Sequence, residues 1–163
     1  MMKNKLPTER EIQQLLFEHH KKMGILSVRE MRIPRSKERV DFIIYEHHYA
    51  NDRKGKQSGR NGIWKFYEIK RTLSDFKSKC KLSFQGNLNY YVLTEELYNK
   101  LNKDDFKKGV GIIVIYRYKN NNLYLEYKKR PKRQELQVDH GELMWCFMKA
   151  QGRELDKYRM KEL

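Results

Sequence analysis

The 163-residue sequence predicts a single α/β domain: a central mixed β-sheet flanked by helices, in the order α-β-β-β-α-β, completed by a C-terminal β-hairpin and a closing helix. Three observations predict it. Apolar residues recur at helical spacing near both ends of the chain, at Ile12, Leu15 and Leu16 and again at Leu136, Leu143, Phe147 and Ala150. Short aromatic and β-branched runs stand between them, bounded by turn residues, chief among them Arg39–Tyr45, Trp64–Lys70 and Asn89–Leu93. No internal repeat and no linker divides the chain, and its length suits one core.

Composition narrows the class. Charged residues make up 35% of the chain, yet 12% aromatic residues and clear periodic segments argue for a folded domain rather than a disordered one. The formal net charge of +15 favours a polyanionic partner, with nucleic acid first: DNA, and RNA as the second candidate. An acidic membrane surface is the weaker alternative, because no amphipathic anchor or lipidation signal appears. No apolar run is long enough to span a bilayer, and the polar opening Met1-Met2-Lys3-Asn4-Lys5 is unlike a signal peptide. Cys80 and Cys146 lack close-spaced partners. They read as reduced thiols of a cytoplasmic protein, without a zinc-ligand pattern.

The first helix opens at Thr8, whose spacing to Glu11 is that of a capping box. Ile12, Leu15, Leu16, His19 and Met23 form its apolar stripe, and Gly24 ends it. Val28 to Ile33 alternates as a strand, with Val28 and Met31 out of step, which points to a bulge or an edge position. Arg35-Ser36-Lys37-Glu38 is a turn. Arg39–Tyr45 and Trp64–Lys70 are strands joined by the long polar segment 46–62. Its run Arg53-Lys54-Gly55-Lys56 suits a basic flap over a phosphate backbone or a solvated insertion.

Ser74 is a good N-cap for the next helix, with Phe76, Cys80 and Phe84 on its buried line, Lys77, Lys81 and Gln85 on a parallel one, and Gly86 at its end. The strand Asn89–Leu93 leads into a short helix from Thr94. Val110–Tyr118 and Leu123–Lys129 flank Asn120-Asn121-Asn122 as a hairpin. Basic residues crowd the end of that hairpin, at Lys128, Lys129, Arg130, Lys132 and Arg133, with tyrosines interleaved, a pattern that suits nucleic-acid contact. The closing helix is expected from Glu135 to about Tyr158, with a break near Gly152.

Candidate chemistry lies at two strand ends. Glu68 and Lys70 are two residues apart on one strand and so share a face. If the strands of Asp41 and Glu68 pair antiparallel, Asp41 becomes a neighbour of both. Buried carboxylates and ammoniums need partners or a metal. Two carboxylates beside a lysine suit magnesium, or manganese in its place, which takes one or two carboxylates and keeps waters for a phosphate substrate. The lysine can orient an attacking water or stabilise charge developing on phosphate. The bland reading of Asp41 is a salt bridge to Arg39 or Lys70.

Asp41 followed by Glu68-Ile69-Lys70 on the next strand resembles the motif of the PD-(D/E)XK nuclease superfamily. With Thr72-Leu73-Ser74-Asp75-Phe76 and the Lys81 segment, the stretch from Thr8 to Leu97 looks most like its bacterial DNA-repair-associated, MmcB-like branch. Val40 stands where the motif often has proline. The resemblance implies a restriction-endonuclease-like core and a Mg2+- or Mn2+-dependent endo- or exodeoxyribonuclease acting in DNA repair, recombination or mobile-element processing. It implies Asp41, Glu68 and Lys70 as catalytic residues, and Asp41, Glu68 and the Ile69 carbonyl as metal ligands. A further acid from the first helix would be Glu11, with the capping box alone as its other reading, or Glu18 in second place. Lys77, Lys81, Gln85, Lys54, Lys56, Lys128, Lys129 and Arg130 are the candidate nucleic-acid contacts, and a homodimer fits the family's habit. The alternative is a non-catalytic DNA- or RNA-binding protein on the same fold.

Overall fold

The computed structural model describes residues 5–22, 25–47, 62–78 and 83–161. In chain order the elements are α1 (Glu9–Lys21), β1 (Leu26–Arg32), β2 (Arg39–Glu46), β3 (Ile63–Lys70), α2 (Leu73–Lys77), β4 (Leu88–Thr94), α3 (Glu95–Lys100), a 3-10 turn (Lys103–Asp105), β5 (Gly111–Arg117), β6 (Leu123–Lys129) and α4 (His140–Arg159). The strands form one open mixed sheet in sequence order, β1-β2-β3-β4-β5-β6. β1, β2 and β3 run antiparallel, β3, β4 and β5 parallel, and β6 returns antiparallel along β5. The α-β-β-β-α-β order and the terminal hairpin and helix stand as expected.

The sheet positions its strands by burying both faces, which is why β4 and β5 are nearly continuous apolar runs and β3 is buried along most of its length. On one face α1 packs Ile12 and Leu16 against Phe42, Ile44, Tyr67, Ile69, Val92 and Ile113. On the other, α4 packs Leu143, Phe147 and Ala150 against Val28, Val40, Ile43, Trp64 and Phe66. Beside that cluster lies a third, where Leu97 of α3 and Phe84 cover Tyr91, Leu93, Ile112 and Val114. Trp64 and Phe147 meet edge to face at 5.5 Å. Phe147→Ala is expected to cost about 3–5 kcal/mol of unfolding free energy, since truncating a buried aromatic adds a cavity to the lost transfer energy. Urea denaturation with an unchanged slope measures it.

Local departures have physical causes. The capping box forms: Thr8 Oγ1 accepts from the Glu11 N–H at 3.2 Å while the Glu11 carboxylate accepts from the Thr8 N–H at 2.7 Å. The buried face of α1 carries His20 rather than His19. Met23 and Gly24 lie outside the described residues. The irregularity between Val28 and Met31 is Glu30, a non-glycine residue at φ 54° placed between the Arg29↔Phe42 and Met31↔Val40 pairs. Thr72, not Ser74, caps α2, which ends at Lys77. The segment 83–85 is irregular, so Phe84 reaches the core without continuing that helix. α4 begins after Asp139, not at Glu135, because residues 134–137 are used otherwise: the Gln134 N–H donates to the Asn87 carbonyl and the Gln137 N–H to the Gln85 carbonyl, both at 3.0 Å. The helix runs unbroken through Gly152. Gln151 on one side donates to the Ser27 carbonyl at 2.8 Å, and Glu154 on the other pairs with Arg29 at 3.1 Å. Among the described residues no helix is long and apolar enough to cross a membrane.

Candidate functional site

The β2–β3 register brings the sequence-distant acids together. Phe42 pairs with Tyr67, so Asp41 stands at the end of the ladder beside Glu68. β3 continues past that point along β4, where Glu68, Ile69 and Lys70 pair with Tyr91, Val92 and Leu93. The Ile69 N–H is thereby left without a β2 carbonyl, and Asp41 supplies the missing acceptor: its Oδ2 takes that N–H at 2.7 Å. In an extended strand the N–H and C=O of one residue point to the same edge, so the Ile69 carbonyl also emerges on the Asp41 side. The Asp41 and Glu68 carboxyls hydrogen-bond each other. Glu68 Oε1 is held from its other side by Ser83, which donates through its N–H at 3.3 Å and through its hydroxyl.

Burial decides the electrostatics. Glu68 and Lys70 are 6% and 7% exposed. Desolvation first, and then the Glu68 charge, push the Asp41 carboxyl up to about 7, against the pull of the Ile69 N–H and the Lys70 ammonium. Desolvation also raises Glu68, while the two Ser83 donors and Lys70 hold it down. Burial thus favours a proton held by the pair toward neutrality. A divalent cation would take that proton's place, since two hard carboxylate oxygens and a carbonyl are its preferred donors. Among the described residues no group of three or more His, Cys, Asp or Glu side chains is placed to hold a metal. The two carboxylates meet the smaller number that magnesium needs.

Lys70 Nζ lies 3.6 Å from Asp75 Oδ1, and Asp75 Oδ2 in turn accepts from the Arg71 N–H at 3.1 Å. Arg71 Nε donates to the Pro7 carbonyl at 2.7 Å, tying the start of α1 to the end of β3. From α1, Gln13 Nε2 bridges the Asp41 carbonyl and Glu9 Oε1, each at 3.3 Å. Glu9 is the acid of α1 nearest the pair. Burial and then the charges of Asp41, Glu30 and Asp75 raise its carboxyl, with Arg71 opposing. Glu11 is not brought to the pair. It stays in the capping box and meets Arg117 Nη2 at 3.4 Å. A capping carboxylate must fold back on the Thr8 N–H, and the residue two positions earlier then faces the strand ends.

The candidate nucleic-acid contacts scatter. Lys77 is exposed at the end of α2. Gln85 Nε2 reaches Glu38 Oε2 at 3.3 Å. Lys128 is paired with Glu126 at 2.5 Å and lies over the Tyr116 ring. Lys129 and Arg130 are exposed, and Arg130 borders a cleft with Tyr90, Tyr127 and Pro131. Lys54, Lys56, Lys81 and Cys80 lie outside the described residues.

Sequence reasoning missed Glu9, Gln13, Ser83 and Asp75. Asp75 and Glu9 carried a readable signal as first-turn acids on helices that begin at the site end of the sheet. Ser83 carried none, because its role depends on an irregular segment. Ser83→Ala is expected to raise the Glu68 carboxyl further by removing a hydroxyl donor to its charged form. The shift in the carboxyl resonance of Glu68 with pH, read by NMR, checks it. Comparison of the chain with protein-family models, with curated proteins and with solved structures finds no match.

Proposed function

We propose that this protein is a metal-dependent DNA nuclease of the PD-(D/E)XK kind, with Asp41, Glu68 and Lys70 as its catalytic residues. The observation that carries the reading is the placement of Asp41 beside the buried Glu68, where desolvation raises both carboxyls, with Lys70 buried two residues beyond Glu68 on the same strand. Such a cluster is costly to fold, and a cation that joins it offsets the repulsion between its carboxylates. Mg2+ or Mn2+ bound by Asp41, Glu68 and the Ile69 carbonyl would polarise the phosphate and lower the pKa of an attacking water. Lys70 orients that water and meets the negative charge that grows on the phosphate oxygens. The water oxygen forms a bond to phosphorus as it gives up a proton to solvent, the bond from phosphorus to the sugar oxygen breaks, and the leaving oxygen takes a proton from solvent, so that the protons balance. Glu9 and Gln13 hold the Asp41 backbone in place from α1, and Ser83 fixes the Glu68 rotamer. The net charge of +15 supplies the affinity for a DNA backbone.

The test is cleavage of single-stranded, duplex and branched DNA with Mg2+ or Mn2+. Cleavage that is abolished by EDTA supports the reading, and sorting by substrate follows from the same gel. One observation favours a second reading, a DNA- or RNA-binding module on the same fold: Lys70 is engaged by Asp75 at 3.6 Å. That module predicts salt-sensitive binding with no cleavage under either metal.

A further inference from the structure

The face of the sheet that bears Glu68 carries a second polar feature, at the opposite end of β4. A groove of about 360 Å³ is floored by Phe84, Asn89 and Val110 and walled by Lys107 and Lys108 on one side and Lys132 and Arg133 on the other. Among the described residues no acidic one lines it. The four cations are exposed, and none forms an ion pair with a described carboxylate, whereas Lys65, Lys100, Arg117 and Lys128 all do. The walls are fixed relative to each other. The Lys132 N–H donates to the Gly109 carbonyl at 2.8 Å, and Gly109 makes the turn at φ 83° that lets the two segments meet. Gln134 anchors the second wall to the floor through bonds from its Nε2 to the carbonyls of Phe84 and Gly86, at 3.0 and 2.9 Å. Bringing four like charges together in a rigid frame, with no acid to offset them, has a cost that an anionic ligand removes.

The groove is continuous with the candidate site. Phe84 follows Ser83, which holds the Glu68 carboxylate. Tyr91 pairs with Glu68 in the β3–β4 register, packs its ring on Phe84 at 4.8 Å and accepts the Lys107 N–H at 3.4 Å through its hydroxyl. The Lys107 ammonium lies over the Phe84 ring, 5.8 Å from its centre. One residue's width of aromatic surface therefore separates the carboxylates from the first cation.

We infer that this groove binds backbone phosphates of the same DNA strand whose scissile phosphate enters the Asp41–Glu68 site, so that the chain grips its substrate on one side of the cut. This rests on the nuclease reading for the position of the cut, but the grip itself needs no catalysis. Two walls that each present a pair of cations suit successive phosphates of a strand better than a single small anion.

The test is fluorescence anisotropy of a labelled DNA duplex at several salt concentrations in EDTA, where no cleavage occurs. Lys107→Gln/Lys132→Gln is compared with Lys149→Gln/Arg153→Gln, which removes the same charge from the exposed side of α4. All four positions are exposed, so both variants are expected to fold, which circular dichroism confirms. The groove variant is expected to bind about tenfold or more weakly. It should also lower the slope of log affinity against log salt by about 1 to 2, because each phosphate that no longer meets a cation keeps its counterion. The α4 variant is expected to change neither by more than about a quarter of that. Equal losses from the two variants, or an unchanged slope for the groove variant, overturn the proposal. A groove effect in a protein that never cuts DNA leaves the groove standing and removes the nuclease.

Discussion

Lys70→Ala is expected to reduce DNA cleavage at least about a thousandfold while leaving DNA affinity within about twofold, since in the proposed reaction the lysine would meet charge that develops only in the transition state. The separation follows from its position. Lys70 is buried at the end of β3, with Asp75 as its ion partner, and adds little to the exposed basic surface that a DNA backbone meets. Removing a charge from that surface would weaken binding and its salt dependence; removing this one should leave both unchanged. Lys70→Arg should rescue little, because a planar guanidinium does not replace a compact ammonium in a site this closed. Single-turnover cleavage at saturating enzyme, beside equilibrium binding in EDTA, separates the two effects. Full cleavage by Lys70→Ala would remove the lysine from the mechanism.

Asp41→Asn is expected to stabilise the metal-free protein at high pH while abolishing cleavage. The sign follows from linkage. Asp41 is raised from the ordinary 3.8 to about 7 in the folded state, so between those values the folded protein holds a proton that the unfolded chain has lost. Stability from this group is full below about pH 4 and falls as pH rises through 7. Asparagine cannot ionise. Its side-chain carbonyl still accepts from Ile69, and its amide still donates to Glu68. The variant should match wild type within about 0.5 kcal/mol near pH 4 and exceed it by about 2 kcal/mol at pH 8, a figure well inside the shift because solvent offsets part of it. Urea denaturation in EDTA at the two pH values reads the difference. A loss of stability at pH 8 would mean that the folded protein prefers an ionised Asp41. Stability and activity then trade against each other at one residue, as strained sites require.

The fold was legible where periodicity and turns were strong. The two strands that matter read directly, because Val40 to Tyr45 and Trp64 to Ile69 are apolar runs with turn signals around them, and their antiparallel pairing followed from adjacency. Glu68 and Lys70 were legible as a site for the same reason, since alternation fixes their common face. The α1 acid was misassigned because two carboxylates two residues apart on a helix differ by about 200° in direction, and only tertiary packing chooses between capping and the site. The helix expected from Ser74 to Gly86 ends at Lys77, and residues 83–85 are irregular. Phe84 has helical spacing from Phe76, but Ser83 and Gln134 spend their hydrogen bonds on Glu68 and on the backbone of Phe84 and Gly86. The start of α4 was misplaced likewise: the apolar pattern includes Leu136, yet the backbone there is bonded to residues 85–87. The groove of Lys107 and Lys132 was invisible in sequence because its walls are 25 residues apart and meet through one bond at Gly109.

The central claim is that the Asp41–Glu68 pair is a divalent-cation site, and calorimetric titration of the protein with Mn2+ at pH 6.5, in two buffers of different ionisation heat, tests it most directly. Wild type is expected to bind with release of about one proton per cation, because the cation displaces the proton that the carboxyl pair holds. Asp41→Asn is expected to bind at least about a hundredfold more weakly, without proton release. No binding by wild type, or equal binding by the two proteins, would contradict the claim.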